Sequence, residues 1–217
     1  MGVINFGLDI SVATWLRDAL HVSTFVETGT YKGQTSFLMS KVFTNVFTVE
    51  GSDFYFNLAT ENLKNVSNVS ITKSNSVDYL NSLKWGRSPA VFWLDAHWCG
   101  TQTAGAENEC PVIGEIEALK KIDLNGSAIL IDDARLFLKP PPHPHKIDQW
   151  PSIREVIDHL PESHAVYIDE DTIYSIPKSI STDFAEFLRN KKSSQEVKKK
   201  NNLNHKFFRK KNKDERI

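Results

Sequence analysis

The stretch from Phe25 to Ser36 constrains the fold of this chain more than any other part of its sequence. A short apolar run, Thr24 to Val26, leads into Glu27, and two glycines then precede a helical pattern. Glycine has no Cβ, so the backbone can turn tightly there and a ligand can approach it closely. A helix that begins after Gly33 also directs unpaired N–H groups into the same space. The stretch therefore predicts a nucleotide-type loop at the end of a first β-strand.

This loop differs from two other phosphate-binding loops, and the pattern downstream of it indicates the fold class. It has neither the G-x-G-x-x-G of dinucleotide-binding proteins nor the Gly-Lys-Ser/Thr of a P-loop. Strand and helix patterns alternate beyond it, which predicts a parallel sheet with helices on both faces. We expect strands at 24–27, 46–50, 69–73, 90–94 and 128–131 and helices near 34–43, 54–65, 77–83, 111–121 and 153–160.

The two ends of the predicted domain have signals of their own. Residues 11–20 have the pattern of a short amphipathic helix capped by Ser11. Strands at 165–168 and 172–176 are separated by only three acidic residues, which suits an antiparallel hairpin. The expected fold is a doubly wound α/β sheet of seven mostly parallel strands, with its core at about 22–180.

Charge divides the chain into an acidic body and a basic end. Residues 1–188 hold 14 Lys and Arg against 24 Asp and Glu, whereas residues 189–217 hold 12 against 3. The basic end has few large apolar residues, so we expect a domain at 1–188 and a flexible tail at 189–217. A disordered solubilising end is favoured over a tail that binds RNA, an acidic surface or a partner.

Several polar residues fall at predicted strand ends, where a doubly wound sheet binds its ligands. Glu27, Gly29 and Gly33 come after the first strand, and Glu50 closes the second, where a carboxylate can accept the hydroxyls of a ribose. The run Ser74–Ser76 comes after the third strand. Each has a plainer alternative, namely a solvated strand end, a helix cap or an ordinary turn. Taken together and in order, they favour a bound nucleotide-like cofactor.

Three carboxylates come after the fourth and fifth strands. Asp95 comes after Phe92–Leu94, and Asp132 and Asp133 come after Ile129–Ile131. Adjacent strands lie about 4.8 Å apart, so these side chains can converge, and an oxygen-preferring cation such as Mg²⁺ or Mn²⁺ would offset their repulsion. The alternatives are turn capping by Asp132 and Asp133, and a metal-free role for Asp95. His97 is a candidate general base, because its ordinary pKa lies near neutrality.

The pattern E-x-G-x-x-x-G with Glu50 downstream resembles the cofactor loop of class I S-adenosylmethionine (SAM)-dependent methyltransferases. The resemblance covers about residues 22–180 and implies a Rossmann-like seven-stranded sheet. It also implies that Ser74–Ser76 lie near the adenine and that Asp95 can contact the amino group of SAM. The implied cofactor-binding residues are Glu27, Thr28, Gly29, Thr30, Gly33, Thr35, Ser36, Glu50, Gly51, Ser74, Asn75, Ser76 and Asp95.

Asp95 with the pair Asp132-Asp133 resembles the metal site of macrocin-type sugar O-methyltransferases. That resemblance implies a divalent cation held by these three residues and a sugar or glycan acceptor. In the mechanism that we expect, Asp95 or His97 then takes the proton of the acceptor hydroxyl. A zinc site formed by His97, Cys99 and Cys110 is a minor alternative, because the set lacks a fourth ligand and a Cys-x-x-Cys spacing.

Two long loops are expected to overhang this end of the sheet. Residues 99–110 are polar and contain glycine, which predicts a substrate lid, and residues 135–150 form a Pro-rich loop. For Trp98, contact with a sugar ring and packing of the loop against the domain are equally favoured. For Trp150, packing is favoured.

Composition excludes several other classes of protein. No apolar run approaches the length of a membrane span, the first ten residues lack the order of a signal peptide, and two cysteines cannot make a disulfide framework. A cytoplasmic O-methyltransferase of a sugar or glycan is the expectation, and homo-oligomerisation stays open. The rivals are an RNA methyltransferase that uses the basic tail and an inactive SAM-binding module.

Overall fold

The computed structural model of the chain describes residues 7–83, 89–100 and 102–193. The chain divides into two compact units, Met1–Lys178 and Ser179–Ile217. Within the described ranges, the helices and strands of the first unit follow one another in the order α1, β1, α2, β2, α3, β3, α4, β4, α5, β5, α6, α7, β6, β7. The strands are β1 (Thr24–Thr28), β2 (Asn45–Glu50), β3 (Val69–Lys73), β4 (Val91–Leu94), β5 (Ala128–Ile131), β6 (His164–Asp169) and β7 (Thr172–Pro177).

The seven strands form one sheet in the order β3-β2-β1-β4-β5-β7-β6. The first five strands are parallel, and β7 pairs antiparallel with both β5 and β6. The prediction of a doubly wound sheet that ends in an antiparallel hairpin is confirmed. Strand order reverses between β1 and β4, and doubly wound sheets bind their ligands in the crevice at the carboxyl ends of the strands at this point.

The helices cover both faces of this sheet. They are α1 (Ile10–Leu20), α2 (Gln34–Met39), α3 (Asp53–Leu63), α4 (Ser76–Ser82), α5 (Val112–Leu119), α6 (Ala134–Leu138) and α7 (Ile153–His159), with 3₁₀ turns at Ile147–Gln149 and Lys178–Ile180. Every residue of β4 and β5 is buried, as expected for central parallel strands covered on both faces. The core includes Phe92, Ile116 and Ile129.

Two local predictions near helix starts differ from the structure. The N-terminal helix is capped by Asp9, whose side chain accepts from the Ser11 N–H at 2.7 Å, and not by Ser11. The 135–150 loop contains the short helix α6. This helix begins where the N–H groups of Ala134 and Arg135 donate to Asp171 in the β6–β7 turn, a partner distant in sequence that local patterns cannot indicate.

The second unit is described as far as residue 193. Residues 181–193 form a helix, α8, so the predicted start of the basic tail at residue 189 lies within a helix. The rest of that tail, residues 194–217, lies outside the described residues, and its flexibility stays a prediction. No helix in the described part of the chain has the length and apolar character needed to cross a membrane.

Candidate active site

A cavity of about 1400 Å³ opens at the carboxyl ends of the parallel strands. Most of the residues predicted from the sequence line it. From the cofactor set these are Glu27, Gly29, Thr30, Gly33, Thr35, Glu50, Gly51, Ser74, Asn75, Ser76 and Asp95, and His97, Asp132 and Asp133 join them. Thr28 and Ser36 are buried beneath this surface and do not line it. Pockets for one drug-sized ligand measure about 300–1000 Å³, so this cavity has room for two small ligands.

The β1 loop passes so close to β4 that one of its residues must be glycine. Gly29 has a φ of +81°, and a Cβ placed on it would lie 2.4 Å from the carbonyl oxygen of Asp95. The N–H groups of Gly29 and Thr30 both donate to the carbonyl of Val49, at 3.0 and 3.2 Å. The loop is thereby held between β2 and β4, with its backbone facing the cavity.

Glu27 is a buried carboxyl group at the base of the cavity. It is 1% exposed and accepts hydrogen bonds from the hydroxyls of Ser36 and Thr48. Burial raises its pKa to about 7, although the hydrogen bonds from Ser36, Thr48 and Thr35 act in the opposite direction. A cationic ligand nearby would favour the ionised form of this group. Ser36 therefore supports the site from below and orients Glu27.

Glu50 connects the loop after β1 with the loop after β2. One carboxylate oxygen accepts from the N–H of Tyr31 at 2.8 Å, and the other accepts from the N–H of Ser52 at 2.7 Å. Each oxygen has two lone pairs, so the carboxylate can still accept hydrogen bonds from a ligand. Its position at the end of β2 and on the cavity wall suits the predicted contact with ribose hydroxyls.

The polar run after β3 has a capping role and also lines the cavity. Asn75 is the N-cap of α4, and its side-chain oxygen accepts from the N–H of Asp78 at 2.8 Å. Ser74, Asn75 and Ser76 nevertheless all face the cavity. Helix capping therefore explains the position of Asn75, but it does not explain why all three residues line the cavity.

His97 and Asp133 lie in close contact on the opposite side of the cavity. The Nε2 atom of His97 lies 2.8 Å from one carboxylate oxygen of Asp133, and Arg135 lies 2.5 Å from the other. Arg135 also pairs with the buried Asp171 in the β6–β7 turn. Burial lowers the pKa of His97, although the neighbouring Asp133 acts to raise it. The net lowering favours a neutral imidazole at neutral pH.

The remaining two carboxyl groups are close enough to this pair to interact with it. Burial raises the pKa of Asp95 well above its ordinary value, and the charges of Asp132 and Asp133 raise it further. Burial and Asp133 likewise raise the pKa of Asp132 to about 7. One carboxylate oxygen of Asp132 accepts from the N–H of Asp133 at 2.8 Å. Asp95, Asp132 and Asp133 all line the same cavity at the ends of β4 and β5.

The described residues show no formed metal site at the predicted set of Asp95, Asp132 and Asp133. In the described ranges, no group of three or more His, Cys, Asp or Glu side chains has a geometry suited to a metal ion, and this covers the zinc alternative as well. Both oxygens of Asp133 are engaged, by His97 and by Arg135. Arg135 thus supplies near Asp133 the counter-charge for which a cation was expected.

The two long loops are joined through Glu109, a residue that the sequence did not single out. Glu109 is 1% exposed, and one carboxylate oxygen lies 2.9 Å from Nε1 of Trp150 and 3.1 Å from Nδ1 of His145. The other oxygen accepts from the N–H of Lys146 at 3.0 Å. Burial acts to raise the pKa of Glu109, but the hydrogen bonds from Trp150, Lys146 and His145 outweigh it and lower the pKa.

The two loop tryptophans have different roles. Trp150 is 6% exposed, belongs to the hydrophobic core and lies off the main cavity, which agrees with the packing role favoured for it. Trp98 lines the cavity, and its ring contacts that of His145 at 4.9 Å between centroids. Trp98 therefore retains a face that a ligand can contact.

A second residue without a sequence signal, Glu115, supports the site from α5. Glu115 is 1% exposed, and burial raises its pKa to about 7 while hydrogen bonds from Ser76 and Thr28 act to lower it. Among the described residues, its Oε1 atom has no hydrogen-bond partner. Its position in the middle of an apolar helix gave no local indication of this role.

Comparisons with known proteins identify the fold. No family model matches the sequence, and no curated protein matches it. An O-methyltransferase from Bacillus cereus in complex with SAH has a TM-score of 0.58 at 13% identity, with 79% of this chain and 82% of that chain covered. An O-methyltransferase from Streptomyces achromogenes, involved in tomaymycin synthesis and solved with SAM, has a TM-score of 0.54 at 14% identity, with 78% and 81% covered.

Similarity of fold does not single out one acceptor. A Clostridium thermocellum protein described as an rRNA methylase has a TM-score of 0.53 at 11% identity, with 77% of this chain and 96% of that chain covered. The chain therefore has the fold of SAM-dependent methyltransferases, and its chemistry must be argued from its own site.

Proposed function

We propose that this protein is a SAM-dependent O-methyltransferase. The observation that carries the proposal is a two-ligand cavity at the strand-order reversal of a methyltransferase fold. One side of it holds the glycine loop and Glu50, and the other holds His97 and Asp133. Neighbours with this fold bind SAM or SAH.

The cofactor would occupy the side formed by β1, β2 and β3. Glu50 would hold the ribose, the backbone of Gly29 and Thr30 would lie along the methionine part, and Ser74–Ser76 would face the adenine. The acidic lining beneath them, with Glu27 and Asp95, suits a ligand that carries positive charge. When bound, SAM supplies an activated methyl group for in-line displacement by a hydroxyl.

His97 would act as the general base for that hydroxyl. Its Nε2 atom is turned to Asp133, so the N–H is assigned to Nε2 and the lone pair to Nδ1. Asp133 would stabilise the imidazolium that forms when Nδ1 takes the proton, and Arg135 keeps Asp133 in place. Asp95, whose pKa is raised, is the alternative base.

A neutral sugar or glycan is the acceptor that we favour. Acidic side chains outnumber basic ones on the cavity wall, where Glu27, Glu50, Asp95, Asp132 and Asp133 face Lys32 and Arg135. A wall with so few basic side chains offers little to neutralise phosphates, which argues against RNA as the acceptor. The face of Trp98 can contact a sugar ring, and the likeness to macrocin-type enzymes points the same way.

The RNA methyltransferase and the inactive binding module remain the rival functions. Salt-sensitive RNA binding through the basic tail would favour the first, and failure to bind any adenosyl compound would favour the second. The cytoplasmic location and the oligomeric state stay predictions. Incubation with labelled SAM and a panel of glycans, followed by mass spectrometry, tests the proposed reaction directly.

We expect SAM and SAH to stabilise the protein against heat. A ligand at one hundred times its Kd adds about 2.7 kcal/mol to the free energy of unfolding, which for a chain of this size raises the Tm by about 5–10 °C. Differential scanning calorimetry with and without SAH measures this shift. ATP and adenosine serve as controls, and no shift with either SAM or SAH at saturation would refute the central proposal.

The predicted divalent cation at Asp95, Asp132 and Asp133 would assist the base by lowering the pKa of the acceptor hydroxyl, and a chelator tests whether it does. Because His97 and Arg135 already occupy both oxygens of Asp133, we expect turnover in excess EDTA to stay within about twofold of the untreated value. Turnover with added Mg²⁺ or Mn²⁺ is the matched measurement. Loss of activity in EDTA that either cation restores would establish the metal route instead.

A further inference from the structure

Residues 102–110, here called the roof segment, face the cofactor side of the cavity. Thr103, Ala104, Gly105 and Asn108 line the cavity across from Glu50, Gly51, Ser74 and Asn75. At one point this segment meets the far wall directly, because a Cβ added to Gly51 would lie 2.8 Å from the Cβ of Ala104. The segment therefore spans the space in which the proposed adenosyl cofactor would lie.

The middle of the roof segment has little packing of its own. Residues 104–108 are exposed, and the short hydrogen bond within the turn joins the N–H of Asn108 to the carbonyl of Gly105 at 2.8 Å. Segments with few buried apolar contacts open at low free-energy cost. The position of this segment must therefore depend on its hydrogen bonds to the structure around it.

One end is anchored to the wall of the cofactor site. The hydroxyl of Ser52, two residues beyond Glu50, donates to the carbonyl of Gln102 at 2.6 Å. Ser52 also caps α3 and donates its N–H to Glu50, so this anchor is part of the same local structure as the predicted ribose-binding carboxylate.

The other end is anchored more heavily, through the buried Glu109. Its carboxylate bonds to Trp150, His145 and the N–H of Lys146, and its own N–H donates to the side chain of Gln149 at 2.9 Å. Two more bonds join the same partners to the roof segment, from Lys146 Nζ to the carbonyl of Ala106 and from Gln149 Nε2 to the carbonyl of Glu107.

We propose that the roof segment closes over the bound cofactor and that Glu109 is the latch that holds it closed. Glu109 is a positioning residue in this scheme, since it acts through the loop and does not touch the cofactor. The inference rests on the proposed function, because it takes an adenosyl compound as the ligand beneath the roof. Loss of the latch should raise the dissociation rate of the ligand. Its association rate should change little, because the surface that the ligand first contacts stays the same.

The test measures the release of tritiated SAM, chased with unlabelled SAH, from the full-length protein and three variants. Glu109→Gln removes the charge and one acceptor at nearly constant volume, and Trp150→Phe removes one donor to Glu109 but keeps an aromatic ring. Glu107→Gln makes the same chemical change two residues away, at an exposed side chain, and is the matched control. We expect Glu109→Gln to raise the dissociation rate about tenfold, Trp150→Phe to raise it severalfold, and the control to stay within about twofold.

Hydrogen exchange of residues 102–110 in the ligand-free variants provides a readout that needs no cofactor. Faster exchange in Glu109→Gln and Trp150→Phe, together with faster release of SAM, supports the latch. If the wild-type protein binds SAM and both variants release it at the wild-type rate, the latch is refuted while the proposed function stands. If the wild-type protein binds neither SAM nor SAH, the proposed function fails, and Glu109 is then no latch over a cofactor.

Discussion

Replacing Gly29 by alanine will abolish measurable SAM binding. The added Cβ would lie 2.4 Å from the backbone oxygen of Asp95 and 2.8 Å from its carbonyl carbon, and backbone atoms cannot move aside as a side-chain tip can. The φ of +81° adds strain on the order of 1–3 kcal/mol for a residue other than glycine. Either the β1 loop or the end of β4 must shift, and both line the proposed cofactor site. Calorimetric titration with SAH measures the loss.

Substitutions at two other glycines distinguish the effect of the steric clash from the effect of the backbone strain. Gly33 also has a φ of +81°, but its added Cβ would meet the flexible tip of Leu63, at 2.7 Å from Cδ1. Gly100 has a φ of +144°, and among the described residues no atom beyond its chain neighbours lies within 4 Å of the added Cβ. We therefore expect Gly29→Ala to weaken binding most, Gly33→Ala less, and Gly100→Ala least. Equal losses at Gly29 and Gly100 would show that strain alone matters.

The sheet could be predicted closely because its strands carry their own signals. The predicted bounds of β3 and β5, residues 69–73 and 128–131, are those of the structure. Both are short apolar or alternating runs flanked by turn residues, and the parallel arrangement is a consequence of the helices between them. The helix α6 was missed, since its first N–H groups are satisfied by Asp171, which lies in a turn about 37 residues further along the chain.

The candidate site could be predicted to a similar extent and for a similar reason. Glu27, Gly29, Glu50 and Asp95 lie at the ends of neighbouring parallel strands, so topology alone brings them to one edge of the sheet. Glu109 acts through partners 36 to 41 residues away, and no pattern within its loop indicates such a pairing. Arg135 joins Asp133, two residues away, to Asp171, 36 residues away, and only the structure shows the second contact. Arg135 in particular alters the expected chemistry of the site. Its guanidinium lies beside Asp133 and supplies the positive charge that was expected from a cation.

His97, the proposed base, can be replaced by glutamine to isolate its part in proton removal. The change should lower kcat by about 10²–10⁴-fold, the usual contribution of a general base, and leave the affinity for SAH within about twofold. Glutamine retains an N–H that can reach Asp133 but cannot take up a proton, so the local fold should persist. Rates of methyl transfer to the acceptor identified from the glycan panel measure the effect. Replacement of His159, a half-buried residue at the end of α7 that does not line the cavity, by glutamine is the matched control.

Asp133 and the pH profile complete the test of the base. Asp133 has a φ of +58°, a conformation that asparagine also tolerates, so Asp133→Asn should fold while it loses the charge that stabilises an imidazolium. We expect its kcat to fall by about 10–100-fold, less than for His97→Gln. Because burial lowers the pKa of His97 below 6.5, activity should rise with pH through an apparent pKa below that value, and this acid limb should vanish in His97→Gln. If His97→Gln instead keeps full activity and the same acid limb, proton removal belongs to another group, and Asp95, which lies beside the pair, is the next residue to replace.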